Sequence, residues 1–340
     1  MIFTIRRWCK PKSQEIESRV RNRREFIQTC AAGAAVLAGE TFTPLAAATT
    51  RSKVVIARDT ALRQGSKVDP ARLAGMLDRA MQACFNRDNV LEAWRLVVSP
   101  ADVVALKVNC LGGPTASTSV DLVDAICERL KQVGIPPEHI FIIDRGMGDE
   151  MQRVGFVTRN KIRCVSDVAS GHGPVFSFGK VKSRVSKMIT QYCSAVINLP
   201  ILKDHSITGV TAALKSFYGS IDNPSSYHGN AGNPYIADVN MLEPIRQKVR
   251  LHICDALRPQ FHGGPIGKPH LQWNYNGLLV SRDPVALDYV GWQILENQRK
   301  VAGFGTLSAE FREPKYLATA ADANHRLGTN DPALIDRVEV

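Results

Sequence analysis

Short apolar runs alternate along this chain with segments in which apolar residues recur at helical spacing. The apolar runs predict strands at 53–57, 102–108, 140–143, 195–199, 249–253, 277–280 and 335–340. The intervening segments predict helices at 70–85, 120–133, 207–218, 284–293 and 316–326. Because strands that alternate with helices usually build a parallel sheet covered on both faces, the pattern predicts an α/β fold with a mostly parallel sheet and helices on both faces.

Three stretches fit neither pattern and predict long loops, namely 170–190, 222–235 and 258–275. Long loops within compact α/β domains often carry function. No internal repeat or low-complexity linker interrupts residues 49–340. We therefore expect this part of the chain to form a single large domain with long loops.

The first 48 residues have a different character. An Arg-Arg-x-Phe-Ile core at 23–27 precedes an uncharged run that reaches 39, and three alanines at 46–48 offer a small-residue cleavage site. This pattern predicts a signal peptide at 1–48 that the twin-arginine export machinery recognises, and cleavage near Ala48. The mature protein is then expected to be periplasmic or otherwise exported. Since a bilayer span needs roughly 20 strongly apolar residues, we expect no stable membrane insertion.

The charge and the cysteines narrow the function classes. The whole chain carries a formal charge of +11, and its basic surplus is scattered apart from Lys180, Lys182, Arg184 and Lys187. That cluster lacks interleaved aromatic residues for base stacking, so we expect no nucleic-acid partner. The six cysteines after the signal form no Cys-x-x-Cys pair and mostly lie in apolar runs. We therefore expect buried thiols rather than an iron–sulfur cluster.

Polar residues follow the predicted strands at positions where a parallel sheet collects ligands, the carboxyl ends of its strands. The candidates, in chain order, are Lys107 and Asn109, Asp144, then Lys203, Asp204 and His205, then Asp255 and His262, and finally 281–283. We expect these side chains to meet at one edge of the sheet.

The densest group surrounds the predicted helix at 207–218. Thr208, Thr211 and Lys215 are spaced so that they share one helical face. Hydroxyls and backbone N–H groups in the first turn, with Lys203 ahead of it, could hold a carboxylate, phosphate or sulfate. The structural alternative is a hydroxyl N-cap with exposed lysines, which needs no ligand.

A divalent metal site is an alternative hypothesis. His205, His228 and His262, with Asp204 or Asp255, offer imidazole and carboxylate ligands. None of these histidines occurs at a His-x-x-x-His spacing, and the sequence does not indicate which other cofactor could bind.

Several segments, in their order along the chain, resemble the domain of unknown function 362 family. They are the strand that carries Lys107 and Asn109, the stretch 198–215, Asp255 with the 262–265 loop, and 281–288. The similarity extends over about 53–340. It implies an α/β fold and a site near 203–215. Family members are often exported, and some carry ferredoxin modules with cysteine-rich motifs, which this sequence lacks.

These observations together predict an exported α/β protein that binds a small anionic molecule between Lys107, Lys203, His205 and Lys215. In an enzyme, His205 or Asp204 would exchange protons while the lysines stabilise developing negative charge. Asp144 and Asp255 would orient these groups or hold a divalent ion. The alternative function is a cofactor- or metal-binding redox-accessory protein of the periplasm. The sequence selects neither a substrate nor an oligomeric state.

Overall fold

A computed structural model describes residues 51–65, 67–146 and 149–340. The predicted signal peptide therefore lies outside the described residues. The strands are β1 (Ser52–Arg58), β2 (Arg63–Gln64), β3 (Lys67–Val68), β4 (Val104–Lys107), β5 (Ile140–Asp144), β6 (Arg163–Ser166), β7 (His172–Phe178), β8 (Val181–Ser186), β9 (Ala195–Asn198), β10 (Ile201–His205), β11 (Gly209–Thr211), β12 (Val249–Gln260), β13 (Gly277–Ser281) and β14 (Ile335–Glu339).

The α-helices are α1 (Pro70–Phe85), α2 (Val90–Arg95), α3 (Val120–Gln132), α4 (Glu150–Val154), α5 (Asp167–Ser170), α6 (Ala213–Ser216), α7 (Tyr235–Asn240), α8 (Glu243–Lys248), α9 (Pro284–Val301) and α10 (Tyr316–Ala321). Short 3₁₀ turns occupy Pro137–His139, Phe217–Ser220, Pro224–Tyr227, Gly229–Gly232, Pro269–Leu271 and Pro332–Leu334. Met188–Tyr192 forms a π-helical turn.

Ten strands form the central sheet. Eight of them follow the order β14-β1-β13-β12-β9-β4-β5-β6, and β10 pairs with both β12 and β11. Neighbouring strands are parallel except that β13 runs antiparallel to β1 and β12, and β11 runs antiparallel to β10. The predicted α/β fold with a mostly parallel sheet is confirmed.

The sheet buries apolar side chains on both faces, as strands at the centre of a parallel sheet usually do. In β4, Val104 and Leu106 belong to the core that packs against α1, α2 and α3. Ala105, between them, points to the other face and joins a second core that includes residues of α7, α9 and α10. In the described part of the chain, no helix combines the length and the apolar character that a bilayer crossing requires.

Local sequence signals mark where the longest helices begin and end. The Asp69 side chain accepts hydrogen bonds from two backbone N–H groups at the start of α1, where Pro70 takes the first helical position. Asp283 and Pro284 play the same parts at the start of α9. Gly134, with a φ of 97°, follows the end of α3. These predicted boundaries are confirmed, although α9 is longer than expected.

The predicted helix at 207–218 is wrong. The chain turns after His205 and returns as β11, which pairs Lys203 with Thr211. The turn depends on Gly209, since its φ is 76° and an added Cβ would lie 2.0 Å from the Arg312 carbonyl oxygen. The β-branched run 210–211 favours a strand, so only α6 and a 3₁₀ turn remain of the helix.

The expectation that 281–283 joins the other candidates is also wrong. Because β13 runs antiparallel to its neighbours, its carboxyl end lies at the opposite edge of the sheet. There the Ser52 hydroxyl donates to the Asp283 carboxylate at 2.5 Å. Apolar periodicity locates a strand but carries no information on its direction.

The predicted long loops contain more regular structure than expected. Most of 170–190 forms the hairpin of β7 and β8. The sequence contains a strand signal in β8, where exposed Lys182 and Arg184 alternate with buried Val181 and Val185. The stretch 222–235 contains two 3₁₀ turns, and 258–275 begins within β12.

Candidate functional site

A cavity of about 200 Å³ opens where the carboxyl ends of β4, β5 and β10 meet the segment from α6 to His228. Its walls consist of Asn109, Leu111, Asp144, Arg145, Glu150, Lys203, His205, Thr211, Lys215, Ser216, Tyr218, Gly219, Pro224, His228 and Pro265. Three buried lysines lie in or beside this cavity, and each has a different set of partners.

Lys107, the last residue of β4, is fully buried and paired with a carboxylate. Its Nζ donates to Asp144 Oδ1 at 2.6 Å and to the Val108 carbonyl at 2.7 Å. The second carboxylate oxygen accepts from the Cys110 backbone N–H at 2.6 Å. Gly219 covers the pair, since a Cβ there would lie 2.8 Å from the Lys107 amine. Both charges are therefore satisfied within the protein.

Lys203 reaches the cavity from β10 and is held by neutral oxygens. Its Nζ donates to Asn109 Oδ1 at 3.0 Å and to the Ala116 carbonyl at 2.9 Å. Burial lowers the pKa of this amine to about 8, although the Asp144 carboxylate acts in the opposite direction. An ammonium group has three donors, so these two oxygens leave one N–H without a partner among the described residues.

Lys215, on α6, has neither a carboxylate nor a carbonyl partner within the described residues. Its Nζ lies 3.1 Å from His228 Nε2 and 3.9 Å from the centroid of the Tyr218 ring. Burial and the nearby Lys203 cation lower the pKa of Lys215 to about 7. The ring face opposes that shift because it attracts a cation.

The hydrogen bonds of His228 fix the role of the ring nitrogen that faces Lys215. Its Nδ1 lies 3.0 Å from the Pro224 carbonyl, which can only accept. Nδ1 therefore carries the proton, and Nε2 accepts from Lys215. Burial, followed by the Lys215 charge, lowers the pKa of His228, so the ring is neutral.

His205 is also neutral, and its free nitrogen is a donor. Nδ1 accepts from the backbone N–H groups of Ile207 and Thr208 at 3.2 and 3.3 Å. Burial and the Lys215 charge lower the pKa of His205 to about 2. The proton therefore resides on Nε2, and the ring stacks on His228 with centroids 5.7 Å apart.

Two hydroxyls in the cavity wall lack a partner. Thr211 Oγ1 and Ser216 Oγ are buried, and neither makes a hydrogen bond to another described residue. Buried polar groups in proteins are nearly always hydrogen-bonded, either internally or to a bound molecule. The described part of the protein therefore leaves the hydrogen-bonding capacity of these two hydroxyls unused.

The start of α6 does not offer its backbone to a ligand. Asp288, on α9, accepts from the N–H groups of Ala213 at 2.6 Å and Leu214 at 3.1 Å. Asn198 donates to the Ala213 carbonyl at 2.9 Å and fixes the same turn. An internal carboxylate thus takes the position expected for an external anion, and the cavity's own donors are side chains.

The comparisons with known proteins place the chain in a family. The model of the family described as Domain of unknown function (DUF362) matches residues 104–293. The chain belongs to this family. The resemblance predicted from the sequence is therefore confirmed.

A search among curated proteins gave no match to this DUF362 protein. Among solved structures, it is similar to a crystal structure of a Thermotoga maritima protein from the Northeast Structural Genomics Consortium, with 9% sequence identity and a TM-score of 0.38. The alignment covers 71% of this chain and 60% of that chain, so this chain spans less than two thirds of its neighbour's length.

The structure brings together six of the residues predicted from the sequence of this DUF362 protein. Those that line the cavity are Asn109, Asp144, Lys203, His205, Thr211 and Lys215. Lys107 lies directly behind Asp144 through their ion pair. The remaining four, Asp204, Thr208, Asp255 and His262, do not line the cavity.

The side chains of Asp204 and His262 contact arginines outside the cavity. The Asp204 carboxylate pairs with Arg312 at 2.5 Å and accepts from the Gly264 backbone N–H at 3.1 Å. His262 Nδ1 lies 3.1 Å from the Arg299 guanidinium. These contacts hold the loop that carries Pro265 into the cavity wall, so both residues support the site from outside.

Asp255 and Thr208 satisfy backbone groups. The Asp255 carboxylate accepts from the N–H groups of Ser119 at 2.7 Å and Leu257 at 2.9 Å, and burial raises its pKa to about 6. The Thr208 hydroxyl donates to the Val210 carbonyl at 3.3 Å inside the β10–β11 turn. Neither side chain faces the cavity.

Sequence reasoning missed part of the wall, namely Leu111, Arg145, Glu150, Ser216, Tyr218, Gly219, Pro224, His228 and Pro265. Arg145 follows Asp144 at the end of β5, so its place at the carboxyl end of a strand could have indicated that it lines the site. The sequence suggests His228 only as a metal ligand, because nothing local links the 222–235 segment to Lys215.

No group of three or more His, Cys, Asp or Glu side chains in the described part of the chain is arranged to hold a metal ion. The imidazole rings of His205 and His228 stack on each other, while His262 lies outside the cavity. The metal and cofactor hypotheses from the sequence stay predictions. The six cysteines of the described residues are free thiols.

Proposed function

We propose that this DUF362 protein binds a small anionic molecule in the cavity between Lys203 and Lys215. One observation carries the proposal. Both amines are buried in the same wall, and within the described residues neither has a carboxylate partner. Buried charges in proteins are normally paired, so two unpaired lysines in one cavity favour an anion between them.

The charges around the cavity support the same conclusion. Asp144 already neutralises Lys107, which leaves Lys203 and Lys215 to repel each other. Like charges disfavour protonation of both amines, whereas an anion in contact with both would favour it. Binding of an anion would therefore relieve the cost of burying two like charges near each other in the folded protein.

The donors suit a carboxylate, a phosphate or a sulfate. They comprise the free N–H groups of both lysines, His205 Nε2–H and the unpartnered hydroxyls of Thr211 and Ser216. A volume of about 200 Å³ is below the ~300–1,000 Å³ typical of pockets for drug-sized ligands. The site is thus matched to a molecule of a few carbon atoms.

In a catalytic version of this site, Lys215 rather than His205 would exchange protons near neutral pH. His205 accepts two backbone hydrogen bonds at its only basic nitrogen, so it acts as a donor. Lys215 faces an imidazole nitrogen that can receive its proton.

Calorimetric titration with oxalate and sulfate tests the proposal. We expect the wild-type protein to bind at least one of them, and Lys203→Met and Lys215→Met each to weaken binding by about tenfold or more, since each removes a charged hydrogen-bond donor. Lys180→Met, at an exposed lysine, is the matched control and should bind like the wild type. Equal affinity in all four proteins, or no binding to the wild type, would reject the anion site.

We also propose that the protein works after export, on the strength of the twin-arginine pattern at 23–27. Replacement of both Arg23 and Arg24 by lysine should retain the precursor in the cytoplasm, as cell fractionation would show. Export of the doubly substituted protein at the normal level would contradict this localisation.

A further inference from the structure

We propose that Lys215 forms an imine with the carbonyl carbon of a small oxo-carboxylate whose carboxylate is bound by Lys203. This inference rests on the proposed anion site and names its substrate class as a short acid with an aldehyde or ketone group. It assigns different tasks to two lysines in the same wall.

The partners of the buried lysines carry the inference. Lys107 donates to a carboxylate, and Lys203 donates to two carbonyl oxygens. Those oxygens stabilise an ammonium group and cannot accept its proton at neutral pH. Lys215 instead faces His228 Nε2, a neutral nitrogen that can take a proton. Of these three lysines, Lys215 alone is placed to become a neutral amine, which is the nucleophilic form.

The electrostatics agree with this division. Burial and the Lys203 charge place the pKa of Lys215 at about 7, whereas the pKa of Lys203 is about 8. Near neutral pH, a substantial fraction of Lys215 is therefore a neutral amine, whereas the larger fraction of Lys203 is a cation. One amine can then attack a carbonyl carbon while the other holds the carboxylate.

The step balances without an oxidant or a reductant. The Lys215 nitrogen lone pair attacks the carbonyl carbon, a C–N bond forms, and the carbonyl electron pair moves to oxygen. One proton passes from the nitrogen through His228 Nε2 to that oxygen and gives a carbinolamine. The C–O bond then breaks, the nitrogen gives up its second proton, and the oxygen leaves as water.

The cavity offers donors for the oxygen during this step. The hydroxyls of Thr211 and Ser216 lie in the same wall as Lys215 and have no partner among the described residues. Such donors stabilise a developing alkoxide in a site that excludes water. The Tyr218 ring beneath the amine limits the directions from which a carbonyl can approach.

Borohydride trapping tests the inference. The purified protein is incubated with pyruvate or glyoxylate, reduced with sodium borohydride, and examined by intact-mass measurement and peptide mapping. We expect one stable adduct per chain, located on Lys215, and its complete loss in Lys215→Arg. Lys180→Arg, at an exposed position, should label like the wild type. Labels spread over surface lysines, or an unchanged adduct in Lys215→Arg, would overturn the inference.

Peptide mapping of the wild-type protein locates the adduct even if a variant fails to fold. Oxalate, which cannot form this imine, separates the two proposals. If calorimetry shows oxalate binding but neither oxo acid is trapped on Lys215, the imine inference fails and the anion site stands. If neither oxalate nor sulfate binds and nothing is trapped, both fail. Protection of Lys215 from labelling by oxalate would support both.

Discussion

Lys107 and Lys215 are both buried beside the same cavity, yet the regions that hold them differ. On the β4–β5 side, Lys107 is fixed by Asp144, and parallel strands hold both residues. On the α6 side, Lys215 meets an imidazole and an aromatic ring carried by short turns. The first lysine is held in an ion pair, and the second can gain or lose its proton. The partner, rather than burial itself, decides which role a buried lysine has.

The largest effect is expected from loss of the fixed pair. Asp144→Ala leaves the Lys107 cation buried without a carboxylate, so we expect the free energy of unfolding to fall by about 3–5 kcal/mol. Denaturant titration measures it. Asp149→Ala, which removes an exposed ion pair with Arg153, should cost less than about 1 kcal/mol. Similar losses in both variants would show that the Lys107 pair is not a structural element.

A second substitution distinguishes residues that stabilise the fold around the cavity from residues that bind the ligand. Arg312→Met leaves the buried Asp204 carboxylate without its cation, and we expect a loss of about 3 kcal/mol of stability. Oxalate affinity in the folded variant should fall much less than in Lys203→Met, because neither Arg312 nor Asp204 lines the cavity. A variant with normal stability and no oxalate binding would instead place Asp204 in the site, as the sequence suggested.

The stability of Lys215→Met relative to the wild type should depend on pH. The folded pKa of Lys215, about 7, lies below its ordinary value of 10.5, so the unfolded chain binds more protons between these values. Wild-type stability therefore falls as pH drops from 10.5 to 7, and the cost is fully present below 7. We expect Lys215→Met to be more stable by on the order of 2 kcal/mol at pH 6.

Denaturant titrations of both proteins at pH 6 and pH 9 measure this difference. Lys107→Met should show the opposite sign at both pH values, because it leaves Asp144 without its cation. A destabilised Lys215→Met at pH 6 would mean that Lys215 is a fixed charge like Lys107.

The smallest expected effect is on anion affinity. Since an anion binds the ammonium form of Lys215, oxalate affinity should fall by up to about tenfold per pH unit above pH 7. The decline of Lys203 protonation above pH 8 adds to it. Calorimetry at constant ionic strength measures the slope. In Lys215→Arg, which stays charged, affinity should be nearly constant from pH 6.5 to 8, and a wild-type slope there would contradict the assignment.

The features that the sequence predicted correctly depend on local signals. Asp69 and Pro70 begin α1, and the apolar run 140–143 lies within β5. The carboxyl-end rule then brought Lys107, Asp144 and Lys203 together, because their strands are parallel members of one sheet. Composition and spacing were sufficient for these features.

The features that were not predicted depend on contacts between distant residues. The carboxylate of Asp288 caps Ala213, 75 residues away, so no local pattern shows that the start of α6 is already satisfied. The direction of β13 depends on pairing with β1 and β12. His228 reaches Lys215 through a series of short turns whose path is set by packing. The chemistry of the site therefore could not be read until these contacts were known.

The most direct test is the protonation of Lys215 itself. Lysine side-chain NMR on isotopically labelled protein, assigned with Lys215→Arg, gives its pKa with and without saturating oxalate. We expect a pKa near 7 in the free protein and a clear increase when oxalate is bound. A pKa near the ordinary 10.5 in the free protein, or one that oxalate does not change, would contradict it.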